Sequence, residues 1–129
     1  MRLVSILIRE NNAALASRIE CADTSVRRLV GLLGRSSLSA GEGIWIQPSS
    51  GIHTFGMRFP IDVVGLDRKM RVVKLWRQVK PQRVTSVSTK VSSVLELAGG
   101  EIDAHSLHVG QELYAVAAQS EGLARPWSA

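Results

Sequence analysis

Cysteine is almost missing from this chain. Cys21 is the only one in 129 residues, so no disulfide can form within the chain and an oxidising compartment is neither required nor indicated. Long apolar runs are missing too. The N-terminal run from Leu3 to Ile8, broken only by Ser5, stops at Arg9 and Glu10; a secretory core needs about 7–15 apolar residues with a small-residue cleavage site behind it. No stretch approaches the roughly 18 apolar residues that a membrane-crossing helix needs. The expectation is a soluble cytoplasmic protein without a membrane partner. Internal repeats and low-complexity segments are absent, as are the nucleophile-elbow, phosphate-loop and dinucleotide fingerprints, which removes the common enzyme signatures without excluding an enzyme.

Acidic residues are missing from one region in particular. Between positions 68 and 90 stand eight basic residues (Arg68, Lys69, Arg71, Lys74, Arg77, Lys80, Arg83 and Lys90) and no acid. The net charge of +5 therefore belongs to that stretch, because the other eight basic residues face all eleven acids. Such asymmetry bears on partners rather than on fold. The hydrophobic fraction of 45% is that of an ordinary globular domain, and a chain of this length can bury roughly two-thirds of its unfolded surface without metal or disulfides.

Short β signals dominate the rest. Leu3–Ile8 and a second run in which Leu15, Ser17, Ile19 and Cys21 alternate with Ala16, Arg18 and Glu20 flank a Glu10-Asn11-Asn12 turn, which reads as a hairpin. Cys21 is read as a small buried hydrophobe, since no neighbouring group would activate a thiolate. One helix is predicted over about residues 24–33, where Val26, Leu29, Val30 and Leu33 share a face and Gly34 stops it. Strands are then predicted at 44–46, 61–66, 71–79, 91–97 and 112–117, with the 61–66 and 71–79 pair joined by the Asp67-Arg68-Lys69-Met70 turn. No regular alternation of strands with helices argues for a parallel sheet. The fold class expected is mainly β, a small sandwich or barrel with one short helix. It forms a single domain over 1–120 with a C-terminal tail over 121–129.

Four blocks in order carry a family resemblance: Arg28-Leu-Val-Gly-Leu-Leu-Gly-Arg35; the segment from Ile52 to Asp67 with Met57, Pro60, Asp62 and Asp67; Val79-Lys80-Pro81; and Val94-Leu-Glu-Leu-Ala-Gly99 followed by Val109-Gly110. Together they resemble the bacterial and archaeal domain-of-unknown-function family 192. The resemblance implies a compact jelly-roll-like β-sandwich with a short helix, and it implies no established activity. The chain departs from the pattern at Lys69-Met70, where many members have Asp-Gly, and Met is a poor choice where φ must be positive. Gln111 replaces an aspartate after Gly110, and Lys80 stands beside Pro81 where many relatives carry a cysteine.

The candidate chemistry is concentrated in the signature block. His53 could be a general base, Arg58 an anion clamp, and Asp62 an orienting carboxylate. Asp67 sits where an aspartate bonds its own turn. Asp62 and Glu96 interrupt apolar strands, and a buried carboxylate must be paired or hydrogen-bonded; structural ion pairing, with Arg58 or Arg28 as partner for Asp62, is preferred for both over catalysis. His105 and His108 supply two imidazoles where a zinc site needs three or four ligands, so neither a metal nor a cofactor is expected. In the basic stretch Lys74, Trp76 and Lys80 would share a strand face, with Val73, Leu75 and Val79 on the other, and an exposed Trp between lysines could stack a base; the simpler reading packs Trp76 beneath a loop. Three functions are ranked on this basis. The first is a non-catalytic module binding a small molecule or a protein through His53, Arg58, Asp62 and Glu96, with no catalytic residue assigned. The second is an enzyme of unknown reaction using His53 with a carboxylate. The last is an accessory nucleic-acid binder through Lys74, Trp76 and Lys80.

Overall fold

A computed structural model describes residues 2–22, 35–51, 57–86 and 88–118. The helix predicted over 24–33, His53 and the C-terminal tail lie outside the described residues. Among the described residues there are seven strands: β1 (Leu3–Ile8), β2 (Ala14–Ala22), β3 (Glu42–Ile46), β4 (Ile61–Leu66), β5 (Val72–Val79), β6 (Ser93–Ala98) and β7 (Leu113–Ala117). One short helix, α1 (Glu101–Ala104), stands between β6 and β7. All seven strands had been expected from apolar patterning. The four-residue helix had not, because four residues show no helical periodicity.

The strands form one sheet in the order β5-β4-β6-β3-β2-β1-β7. Every pairing is antiparallel except β2 with β3, which is parallel. Sequence patterning gave no sign of that pair, because both strands also read as ordinary antiparallel members. The sheet curls until its two edges meet at one end. There Arg71 bridges Glu112, the Leu113 N–H donates to the Met70 carbonyl, and the Val72 N–H donates to the Gln111 carbonyl. The result is a half-closed barrel.

Curling divides the core into two. Val4, Ile6, Ile19, Trp45, Val64, Leu66, Leu95 and Leu113 belong to a cluster that draws on all seven strands and fills the interior, with Ile102 and Leu107 entering it from around α1. Cys21 is buried in this cluster as a free thiol, the packing role read from its alternation. A second cluster, with Ile44, Ile46, Ile61, Val63 and Val94, lies on the other face of the central strands. Bulges set who faces where. Register shifts between β1 and β2 bring Ala16 into the interior alongside Ile19, although strict alternation had placed it opposite. Bulges kink a strand and reset its alternation in this way.

Candidate functional site

β4 runs alternately between the two clusters, so its one acid must point into an apolar space. Asp62 is 1% exposed, and the fold satisfies it with backbone. One carboxylate oxygen accepts the Gln78 N–H at 2.9 Å; the other accepts the Ile102 N–H at 2.8 Å. The first donor belongs to a bulge of β5, where two residues oppose Asp62 and Gln78 takes φ +49°. The second lies in α1, whose Ile102 is fully buried in the interior cluster. Asp62 therefore fastens the bulged edge strand and α1 to the centre of the sheet. An exposed Arg77–Asp103 ion pair at 2.9 Å links the same two elements from outside. Neither Arg58, which is exposed, nor any other described cation is the partner anticipated for Asp62. Backbone donors do that work, and they carry no signature in a sequence.

Glu96 lies one strand away and is a different case. On β6 it stands opposite Ile44 of β3 and Val63 of β4, and the row continues to Trp76 of β5. Residues directly opposite one another share a face, so the carboxyl projects among the side chains of the second cluster. It is 4% exposed. Among the described residues no hydrogen bond or ion pair reaches it. Burial pushes its pKa up from 4.5 to about 8, because the charged form is penalised in low dielectric. At neutral pH the group is chiefly a neutral acid, able to donate one hydrogen bond and accept others.

The remaining candidates are dispersed. Trp76 is partly buried against the second cluster and its Nε1–H donates to Ser86 Oγ at 3.3 Å. Gly65 makes room for the indole: a Cβ there would stand 3.2 Å from its six-membered ring. The Lys74 ammonium lies 5.6 Å from the ring centre, within cation–π range. The β5 bulge interrupts the alternation that would set Lys80 beside Trp76, and Val79 packs on the indole's side instead. Expected on the face opposite Trp76, Val79 has changed sides for that reason. His105 Nε2 stands 3.4 Å from Glu101 and His108 accompanies the Ser106 carbonyl. No described histidine contacts Asp62 or Glu96, and the described residues contain no group of three or more potential metal ligands.

Asp67 behaves as a turn residue. Its carboxylate accepts the Lys69 and Arg71 N–H groups and the Arg71 guanidinium, at 2.9, 2.9 and 3.0 Å. Desolvation would raise its pKa; those hydrogen bonds and the Arg71 charge outweigh it and hold the group below the usual carboxylate range. Beside this turn is a feature the sequence reading did not find, a cavity of about 430 Å³ at the barrel end opposite α1. Met70, at φ +63°, was the available signal.

Among the described residues no helix is long and apolar enough to cross a membrane. Two solved structures resemble the fold. A protein of unknown function from Novosphingobium aromaticivorans DSM 12444 superposes with a TM-score of 0.75 at 20% identity, covering 87% of this chain and 83% of that one. A protein from Sinorhizobium meliloti 1021 described as a "putative transcription regulator" gives 0.74 at 16% identity, covering 88% and 92%. At such identities the likeness concerns the fold alone. No match was found among curated proteins. The model of family DUF192, "Uncharacterized ACR, COG1430", matches residues 6–115, which spans β1 to β7 together with the signature block, and the chain accordingly belongs to that family.

Proposed function

We propose that this domain is a non-catalytic small-ligand module and that Glu96 marks its binding face. The observation supporting this reading is a carboxyl at 4% exposure on the central strand, among apolar side chains, with no partner among the described residues. A group of that kind lowers stability: a leucine of similar size would avoid its desolvation cost, which runs to several kcal/mol for a buried acid. Sites that sacrifice stability in this way are commonly functional. A neutral acid in an apolar setting recognises an uncharged polar group, such as a carbonyl, amide or hydroxyl on an otherwise apolar molecule, because each side then satisfies the other's hydrogen bond out of water.

The test compares wild type with Glu96→Gln and Glu96→Leu, both purified and denatured, with the released small molecules separated and weighed by mass spectrometry. The expected result is a compound of defined mass in wild type that is reduced in Glu96→Gln and lost in Glu96→Leu, while both variants keep the wild-type circular dichroism. Equal occupancy in folded Glu96→Leu, or no compound in any of the three, would refute the reading.

A further inference from the structure

The mouth of the barrel opposite α1 carries a second site. Its floor is Trp45 and Met70, both in contact with the interior cluster. Trp45 is only 9% exposed and its Nε1–H is fixed on Ser93 Oγ at 3.0 Å, so the indole reaches the cavity by a narrow, rigidly held edge. Pro48 and Ser92 form walls, and Arg68 lines the rim. The cavity's size of about 430 Å³ falls within the range of small-molecule pockets.

Two features point to an occupant. Met70 holds the left-handed conformation at φ +63° in the β4–β5 turn, a position where glycine is the unstrained choice and another residue costs on the order of 1 kcal/mol. What that strain secures is a thioether against the cavity floor, a soft surface that packs well against flat rings. The charge of the rim is the other feature. Arg68 has no ion pair or hydrogen bond among the described residues, whereas the neighbouring Asp67 carboxylate already accepts three N–H groups, including that of the Arg71 guanidinium. The turn thus presents one uncommitted guanidinium, with Lys69 and Arg71 nearby and its single acid neutralised.

We propose that this mouth binds a small anion with a flat apolar body, the class represented by an aromatic carboxylate: the ring packs on Met70 and the exposed edge of Trp45, and the acid group meets the Arg68 guanidinium as a charge-assisted hydrogen-bonded pair. Glu96 belongs to the other face of the sheet, so this site is independent of the one assigned above.

The experiment titrates the ¹⁵N-labelled protein with 2-naphthoate and, separately, with its neutral isostere 2-naphthamide, following the Trp45 indole N–H and the Ser92 and Ser93 amides. Saturable shifts confined to that end are expected with the carboxylate, with affinity about tenfold weaker for the amide and for Arg68→Glu, the factor that one lost charge-assisted contact brings. Met70→Gly should fold, because glycine suits the turn, and bind about tenfold more weakly. Glu96→Leu should bind as wild type does, so failure at one site leaves the other standing. No saturable movement of the Trp45 indole N–H by about 5 mM ligand, or equal affinity for acid and amide, would overturn the proposal.

Discussion

Asp62 and Glu96 are both buried acids on adjacent central strands, in register one residue apart, and they face opposite sides of the same sheet. Asp62 points inward and has each oxygen met by a backbone N–H; Glu96 points outward into an apolar row with no partner among the described residues. Burial is nearly the same, 1% against 4%. Burial alone therefore does not distinguish the two carboxylates, and hydrogen-bond satisfaction does. The donors to the first group have no other acceptor, and removing it leaves them orphaned. The second is held neutral by desolvation, and removing it leaves nothing behind.

The largest way to break this comparison is pH. The Glu96 pKa rises from 4.5 to about 8 on folding, so its contribution to stability is complete below pH 4.5 and is lost as pH climbs through 8. At 1.36 kcal/mol per unit the loss is at most about 5 kcal/mol. Denaturant titrations of wild type and Glu96→Gln between pH 4.5 and 8.5 isolate this group: the stability difference should grow with pH, with the glutamine protein progressively favoured. Parallel curves would show that Glu96 is charged and satisfied after all, and the contrast with Asp62 would vanish. Next in size is Asp62→Ala, expected to lose about 3 kcal/mol by orphaning the buried Ile102 N–H and the part-buried Gln78 N–H, and to raise hydrogen exchange specifically at Gln78 and Ile102. Opposite in sign and smaller, Glu96→Leu should gain about 1–2 kcal/mol at pH 7 in the same assay. A loss of stability in that variant would mean that the Glu96 side chain is itself a structural partner.

How far the sequence reveals these roles depends on what makes them. Apolar alternation announced all seven strands, because each must hide one face in a cluster. The same pattern marked Asp62 and Glu96 as interruptions. It could not separate them, since the donors to Asp62 are main-chain N–H groups of Gln78 and Ile102, 16 and 40 residues away. Bulges are equally silent. They moved Val79 to the Trp76 side and Ala16 into the interior because one extra residue in a strand reverses every later side chain. The parallel β2–β3 pair escaped notice for a related reason: its direction is set by a connection rather than by the strands themselves. The cavity at the barrel mouth assembles Trp45, Met70 and Ser92 from three separate segments. Only Met70, standing where glycine fits the turn, gave a local hint of it.

Asp67 extends the comparison to a third carboxylate, satisfied like Asp62 but near the surface. Its hydrogen bonds to Lys69, Arg71 and the Arg71 side chain hold its folded pKa below the ordinary value of 3.8. Its contribution is thus present above that value and disappears as pH falls through the still lower folded pKa, the reverse of Glu96. Water can replace its donors' partner in Asp67→Ala, so the loss should be only about 1 kcal/mol, measured by denaturant at pH 7, and it should shrink as the pH is lowered below 3.8. The hairpin should nonetheless keep its register, because the Asp67 N–H to Arg71 carbonyl and the Met70 N–H to Asp67 carbonyl bonds are both main-chain. A loss as large as that of Asp62→Ala would mean that solvent access does not moderate the cost of an orphaned donor here, and satisfaction would then outweigh depth for all three acids.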